Sequence, residues 1–393
     1  MNDNDIYIVA ARRTPLGAFQ GTLADASAIE LSAAASRAAL TDAGIDGDAI
    51  DEALIGCVLP AGLGQAPARQ AILAAGVPQG VPATTINKVC GSGMKTVMLG
   101  HDLITAGAAG IVLAGGMESM TNAPYLMPGA RGGYRMGHRE VFDHMFYDGL
   151  QSPFDGQMMG HFGEETAQRY GFSREAQDAF AVESVTRAKT AAAEGRFDGE
   201  IAAVTVKGRK GETTVESDEI PPKVDVGRIP DLKPAFAKDG TVTAASSSSI
   251  ADGAASLILA SAEQVKARGL APLARIVAHS GYAHEPAWFT TAPIFAVKSL
   301  LEKTGCAADD VDLYEINEAF AVVTMAAMQD LDIGHERVNV LGGACALGHP
   351  IGASGARIIV TLVNAMRQRE ARRGIASLCL GGGEAVAVLV EAC

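Results

Sequence analysis

The feature that most narrows the possible folds of this chain is an order of segments that occurs twice. In the first half, Cys90-Gly91-Ser92-Gly93 leads into a stretch with helical periodicity over about 94–106, then into the apolar run GIVLAGG at 110–116. In the second half, Gly352-Ala353-Ser354-Gly355 opens a helical stretch near 356–370, followed by the apolar run IASLCLGGG at 375–383. The letters differ, but the order of glycine-serine turn, helix, strand and glycines is shared, which reads as an internal duplication. The same alternation precedes the first copy. A strand is expected at 6–10, an alanine-rich helix over 27–41 stopped by Gly44, and a strand at 52–58. A helix near 66–75 and a β-prone run at 83–87 follow. Strands alternating with helices predict α/β layers around a largely parallel sheet.

Between the copies, about 118–250, the texture changes to Gly, Pro, Met and charge, with one clear helix after Ser173. This reads as an insertion covering one edge of a paired core, a place where loops commonly carry ligand contacts. The expected division is 1–117 for the first part of an N-terminal domain, 118–250 for the insertion and return, 251–270 for its end, and 271–393 for a C-terminal domain. A chain of 393 residues that is 48% hydrophobic and 20% charged has ample core for this.

The net charge of −13, without a basic run, argues against nucleic acid or an anionic membrane as partner. Six scattered cysteines without a CxxC pair suit a reducing compartment. With no leader and no long apolar run in the sequence, the expected location is the cytoplasm. The eight histidines lack metal-binding spacing, and no Walker loop or GxGxxG fingerprint is present, so no metal and no cofactor are expected.

Four segments carry candidate chemistry. Cys90 stands where a strand turns into a helix, and the helix N-terminus would favour thiolate by ~0.3–1 kcal/mol. Read alone, it is more often a small core side chain, as most free cysteines are. His349 lies in the glycine-dense GGACALGHPIGASGAR; it is either a hydrogen-bond donor to a backbone carbonyl or a base for Cys90. Cys379, at a strand end before Gly381-Gly382-Gly383, is either a buried strand residue or a proton shuttle with an ordinary thiol pKa of about 8.5. Asn317, in NEAFA, positions a water or carbonyl oxygen or caps a helix. The run 241–253 supplies hydroxyls, and its β-branched and apolar flanks argue against a flexible linker.

Together these segments resemble the thiolase family. NKVCGSGMK is similar to its nucleophile loop and VLAGGMESM to the strand after it, while NEAFA, GHPIGASGAR and CLGGGEA are similar to the other signatures, in the same order over essentially the whole chain. The resemblance implies an α/β thiolase fold, with two duplicated βαβαβαββ-type domains in a five-layer αβαβα core and an inserted loop domain. It implies an acetyl-CoA C-acetyltransferase that joins two acetyl-CoA molecules into acetoacetyl-CoA and CoA, and the reverse thiolysis. Cys90 would carry the acyl group, His349 would activate it and bind the thioester oxygen with a water held by Asn317, and Cys379 would act as acid and base. The N–H groups of Cys90 and Gly381 would form a second oxyanion hole. No cofactor beyond coenzyme A thioester substrates is implied.

For CoA, the resemblance points to Ser248 and Ala244 along the pantetheine arm, with Met159, Phe236, Ala319, Phe320 and Phe289 around the tunnel and acyl pocket. Lys223 or Arg228 would meet the nucleotide phosphates. RGGYRMGH at 131–138 resembles the tetramerisation loop of the short-chain branch, implying a homotetramer. Departures occur at Met158-Met159, Ser246, Cys345 and 288–291, and they bear on acyl-chain preference. A thiolase for longer 3-ketoacyl-CoA shares every catalytic residue and is the main alternative. A decarboxylating condensing enzyme would need a different triad, against Cys379, and a non-enzymatic CoA carrier would not need all four groups.

Overall fold

The computed structural model describes residues 2–208 and 211–393. The first part contains β1 (Ile6–Arg13), β2 (Gly17–Ala18), α1 (Ala28–Ala43), β3 (Glu52–Gly56), α2 (Pro67–Ala75), β4 (Ala83–Ile86), α3 (Ser92–Thr105) and β5 (Ile111–Ser119). The middle contains β6 (Tyr125–Leu126), β7 (Phe142–Asp143), α4 (Met159–Tyr170), α5 (Arg174–Ala193), β8 (Val204–Gly208) and β9 (Gly211–Val215). The last part contains β10 (Ala251–Ser261), α6 (Ala262–Arg268), β11 (Ala274–Ala283), α7 (Ala292–Thr304), β12 (Leu313–Ile316), α8 (Ala321–Leu331), α9 (Ala344–Leu347), α10 (Ile351–Arg369), β13 (Arg373–Leu380) and β14 (Glu384–Ala392). Among these helices none is long and apolar enough to cross a membrane.

The duplication is visible in the strand order. One hydrogen-bonded path runs β12-β13-β14-β11-β1-β10-β5-β3-β4. The sets β3-β5-β10-β1 and β12-β13-β14-β11 have the same order, with one parallel pair followed by two antiparallel pairs in each. The two sets meet through a short antiparallel pairing of Ile6–Ile8 with Ala274–Ile276. Helix α1 covers the first set from outside and α7 covers the second, while α3 and α10 lie between and pack on each other. The sheet is therefore mixed, with fewer parallel pairs than the alternation alone suggests.

Close packing of α3 on α10 explains the glycines. A β-carbon at Gly93 would lie 2.7 Å from the Ala356 nitrogen and 3.0 Å from the Gly352 carbonyl oxygen, and one at Gly116 would overlap that same oxygen. Backbones meet here, so side chains are excluded. The turn expected to precede a helix at 356 is accordingly inside α10, which begins at Ile351. Further expectations shift by a few residues: β3 ends at Gly56, and β13 ends at Leu380 before the glycine turn. The caps at Gly44 and Ser173 stand where expected, Gly44 left-handed at φ 65° and Ser173 accepting from the Ala176 N–H.

The middle segment leaves the sheet at Ser119 and returns at Ala251, and Ser119 pairs directly with Asp252. An insertion between neighbouring strands leaves the register untouched. It is pinned to β1 by Arg13, whose Nη1 and Nη2 donate to the two carboxylate oxygens of Asp218 at 2.6 and 2.9 Å and whose Nε donates to Glu200 at 2.6 Å. All three side chains are buried. Replacing Arg13 with Met leaves two buried carboxylates without their cation, and a loss of ~3–5 kcal/mol is expected. A urea midpoint unchanged from that of the native protein would contradict it.

Candidate active site

Three loops are held together by backbone hydrogen bonds. The Ser248 N–H donates to the Ala319 oxygen at 3.0 Å, the Ala321 N–H to Ser246 at 2.8 Å, and the His349 N–H to Ser249 at 2.9 Å. The serine run is thus a fixed strip rather than a linker, and it brings NEAFA and the His349 loop to one place. Asn317 follows β12 and continues its pairing by donating its N–H to the Ser377 oxygen, 3.0 Å away, two residues before Cys379 on the neighbouring strand. It does not cap α8, whose N-cap is Phe320.

Cys90 sits in a strained elbow. Val89 before it has φ 46°, an outlier for a β-branched residue. The strain is supported by the Val89 N–H on Asn87 Oδ1 at 3.0 Å and by Ser92 Oγ, which accepts from the Lys88 N–H at 2.8 Å. The Gly381 N–H and its own N–H approach the Cys90 sulfur, and Cys379 is near enough to feel its charge. Gly381 opens the turn that closes β13 onto β14.

The electrostatics differ from the expectation for a helix N-terminus. Helix α3 begins at Ser92, and the N–H groups of Gly91 and Ser92 turn back onto the Lys88 and Val89 oxygens. Burial then dominates, and the Cys90 thiol is pushed up to about 11. Burial, with Cys90 adding to it, also pushes Cys379 well above its ordinary value, so it is not the unperturbed thiol its sequence suggested. His349 is lowered to about 3, mainly by burial and secondarily by the Arg357 charge. The resting site therefore holds neutral thiols and a neutral imidazole.

The His349 tautomer follows from its partners. Ser354 Oγ donates to the Pro350 oxygen at 2.9 Å, so His349 Nδ1 at 2.6 Å carries the proton and donates to it. Nε2 is left with a lone pair and no partner among the described residues, and the buried amide of Asn317 has none for either atom. Ser354 had been read only as part of a turn; its i+5 spacing from His349 was the available signal.

His349 lines a cleft of about 210 Å³ whose walls include Met159, Phe236, Phe320 and Ser248. Met120, Phe146, Leu150 and Ile351 complete it and were not singled out from sequence. A wider groove of about 520 Å³ continues it, sharing Phe236 and the serine strip and reaching Ala244, Phe19 and Lys223. Phe289 and Ala319 are buried in one cluster with Cys379, and Phe289 packs edge-on against Phe162 at 6.0 Å. Two expected contacts fit less well. Arg228 is exposed and lines neither space, and Lys223 Nζ is already paired with Glu219 at 2.5 Å.

Glu118 was not anticipated. It is fully buried at the end of β5 and accepts from the N–H groups of Val58, Leu59 and Gly352 at 2.9–3.1 Å. It caps α10 in place of a local side chain and ties that helix to the first half. Burial raises its pKa to about 7.

Comparison with known proteins agrees with this geometry. Family models described as "Thiolase, N-terminal domain" and "Thiolase, C-terminal domain" match residues 6–263 and 270–392. An acetyl-CoA acetyltransferase of Pseudomonas aeruginosa is 49% identical over 386 residues, covering 98% of both chains. One of Cupriavidus necator is 47% identical over 389 residues, covering 98% of this chain and 99% of the other. The crystal structure of Acat5 thiolase from Ascaris suum in complex with coenzyme A superposes with a TM-score of 0.94 at 42% identity, covering 99% of this chain and 100% of that one.

The lowered pKa of His349 has a consequence for stability. The unfolded chain takes up a proton at this residue below pH ~6.5, while the folded protein does so only near pH 3. Between those values its contribution falls by ~1.4 kcal/mol per pH unit as the pH drops. Urea midpoints at pH 6.5 and 4.5 are expected to differ less in His349→Asn than in the native protein. Equal slopes would contradict a neutral buried imidazole.

Proposed function

This chain belongs to the thiolase family and is an acyltransferase, and on that premise we propose how its residues carry the reaction of an acetyl-CoA C-acetyltransferase. The observation that supports the reading most directly is a half-buried Cys90 beside the buried Cys379, with His349, whose buried Nε2 has no partner among the described residues, lining an apolar cleft shared with Met120 and Ile351 of the cluster that Cys90 packs against. In the first half-reaction Cys90 Sγ attacks the thioester carbonyl of acetyl-CoA while His349 Nε2 takes the thiol proton. The bond to the CoA sulfur breaks, the proton passes to CoA, and acetyl-Cys90 remains. Because the resting groups are neutral, proton transfer accompanies attack rather than preceding it. The N–H groups of Cys90 and Gly381 hold the oxyanion; such donors contribute about 3 kcal/mol each.

In the second half-reaction Cys379 gives its thiol proton to His349 Nε2 and, as the thiolate, removes a proton from the methyl group of a second acetyl-CoA. The enolate oxygen is held by protonated His349 Nε2 and a water on Asn317, two groups that have no partner of their own among the described residues. The enolate carbon attacks acetyl-Cys90, the carbon–sulfur bond breaks, the Cys90 sulfur takes the proton back from His349 Nε2, and acetoacetyl-CoA leaves. Thiolysis is the same path reversed.

The apolar cleft suits the pantetheine arm, with Met159, Phe236 and Phe320 as walls and Ser248 and Ala244 along it. Phe289, packed against Phe162, limits room beside Cys379 and favours a short acyl chain. Lys223 can serve the nucleotide phosphates by exchanging Glu219 for them, and Arg228 by moving towards the groove. A cytoplasmic homotetramer completes the reading. Six free cysteines suit that compartment, the edge of β4 is open for pairing, and Tyr125, Met127, Met136 and Phe154 expose apolar area on the middle segment.

Thiolysis of acetoacetyl-CoA is expected to exceed that of 3-ketohexadecanoyl-CoA, and to vanish in Cys90→Ser. Preference for the long chain would keep the mechanism and move the substrate class; activity surviving in Cys90→Ser would sink the nucleophile. Cys379→Ala is expected to keep burst acylation by acetyl-CoA while losing condensation by ~10²–10⁴-fold. Loss of the burst as well would reject the division of labour between the two cysteines.

A further inference from the structure

Far along α3 from Cys90, the fold gathers three metal-ligand side chains that spacing along the chain conceals. His101 and Asp102 lie near the C-terminal end of α3, and His279 comes from β11, 177 residues further on. His279 Nε2 lies 2.8 Å from Asp102 Oδ1 and His101 Nδ1 lies 3.4 Å from the same oxygen. One ligand atom from each residue falls within 4.8 Å of the others. The two imidazoles stand edge-on, 5.2 Å apart at 86°, so they reach the carboxylate from different directions.

We propose that His101, Asp102 and His279 bind a divalent transition cation of the zinc class, joining α3 to the C-terminal half of the molecule. An ion about 2.0–2.2 Å from each donor would span these separations after small side-chain shifts. Two imidazoles and one carboxylate select zinc, cobalt, nickel or copper over calcium and magnesium, which favour oxygen donors. The histidines are mostly covered, at 19% and 15% side-chain exposure, whereas Asp102 is 51% exposed, leaving one side open for water to complete the coordination. Lys303, whose Nζ donates to the His279 carbonyl oxygen at 3.2 Å, sets a positive charge nearby, so the carboxylate of Asp102 is needed as well as the two rings. The site lies away from Cys90 and the cleft, and its effect is on stability rather than on turnover.

The test is a cobalt titration of the full-length reduced protein followed by visible absorption, with zinc displacement and thermal melting alongside. Saturation at one equivalent per chain, with ligand-field bands and no thiolate charge-transfer band, is the expected result. Zinc is expected to raise Tm by about 2–4 °C. Both effects should disappear in His279→Asn and weaken ~10-fold or more in Asp102→Asn. No saturable uptake, uptake with thiolate bands, or uptake unchanged in both His279→Asn and His101→Asn would overturn the site. Acetoacetyl-CoA thiolysis by each variant reports its folding. Should His279→Asn fail to fold, His101→Asn carries the same test.

Discussion

The arrangement depends first on how closely two central helices approach. Helices α3 and α10 meet backbone to backbone, with Gly93 against Gly352 and Ala356, Gly355 against Met94, and Gly116 of β5 beneath Gly352. Cys90 stands two residues before one helix and His349 two residues before the other, so the contact that joins the two halves also sets the spacing of the proposed nucleophile and base. A methyl group at these glycines would force the helices apart, and both reactive side chains would move with them. Glu118 reinforces the contact by holding the Gly352 N–H from the opposite half.

Burial then decides the character of the site. Helix N-termini stabilise anions when their N–H groups are free, but those nearest Cys90 are spent on the Lys88 and Val89 oxygens. Desolvation therefore outweighs the dipole, and thiols and imidazole rest in their neutral forms. A neutral site tolerates an apolar cleft, and on the proposed mechanism it develops charge only as bonds to a thioester are made and broken. The groups proposed to face that charge, Asn317 and His349 Nε2, are among those whose buried polar atoms find no partner among the described residues.

The middle segment shows how a large insertion is accommodated without disturbing either half. It starts and ends on hydrogen-bonded neighbours, so the sheet closes beneath it, and the Arg13 ion cluster fixes it from inside. Its helix α4 supplies Met159 to the cleft wall, and its following loops supply Phe236 and the serine strip. A buried ion cluster of this kind defines one orientation because any other leaves charges unpaired.

By itself the sequence determined the duplication, the α/β alternation and the helix caps, and it offered the candidate reactive groups, because periodicity, glycine turns and thiol and imidazole chemistry are local properties. It also reached Cys90, His349, Cys379 and Asn317, since each lies in a short motif whose residue types announce themselves. Only the tertiary structure decided the mixed strand order and the start of α10 inside its glycine motif. The same holds for the raised thiols, the tautomer of His349, the capping by Glu118, and the pairing of Lys223 with Glu219. These depend on what lies several ångströms away through space but tens or hundreds of residues away along the chain. Burial, which sets a pKa, and backbone proximity, which demands glycine, exist only once the two halves have closed on one another.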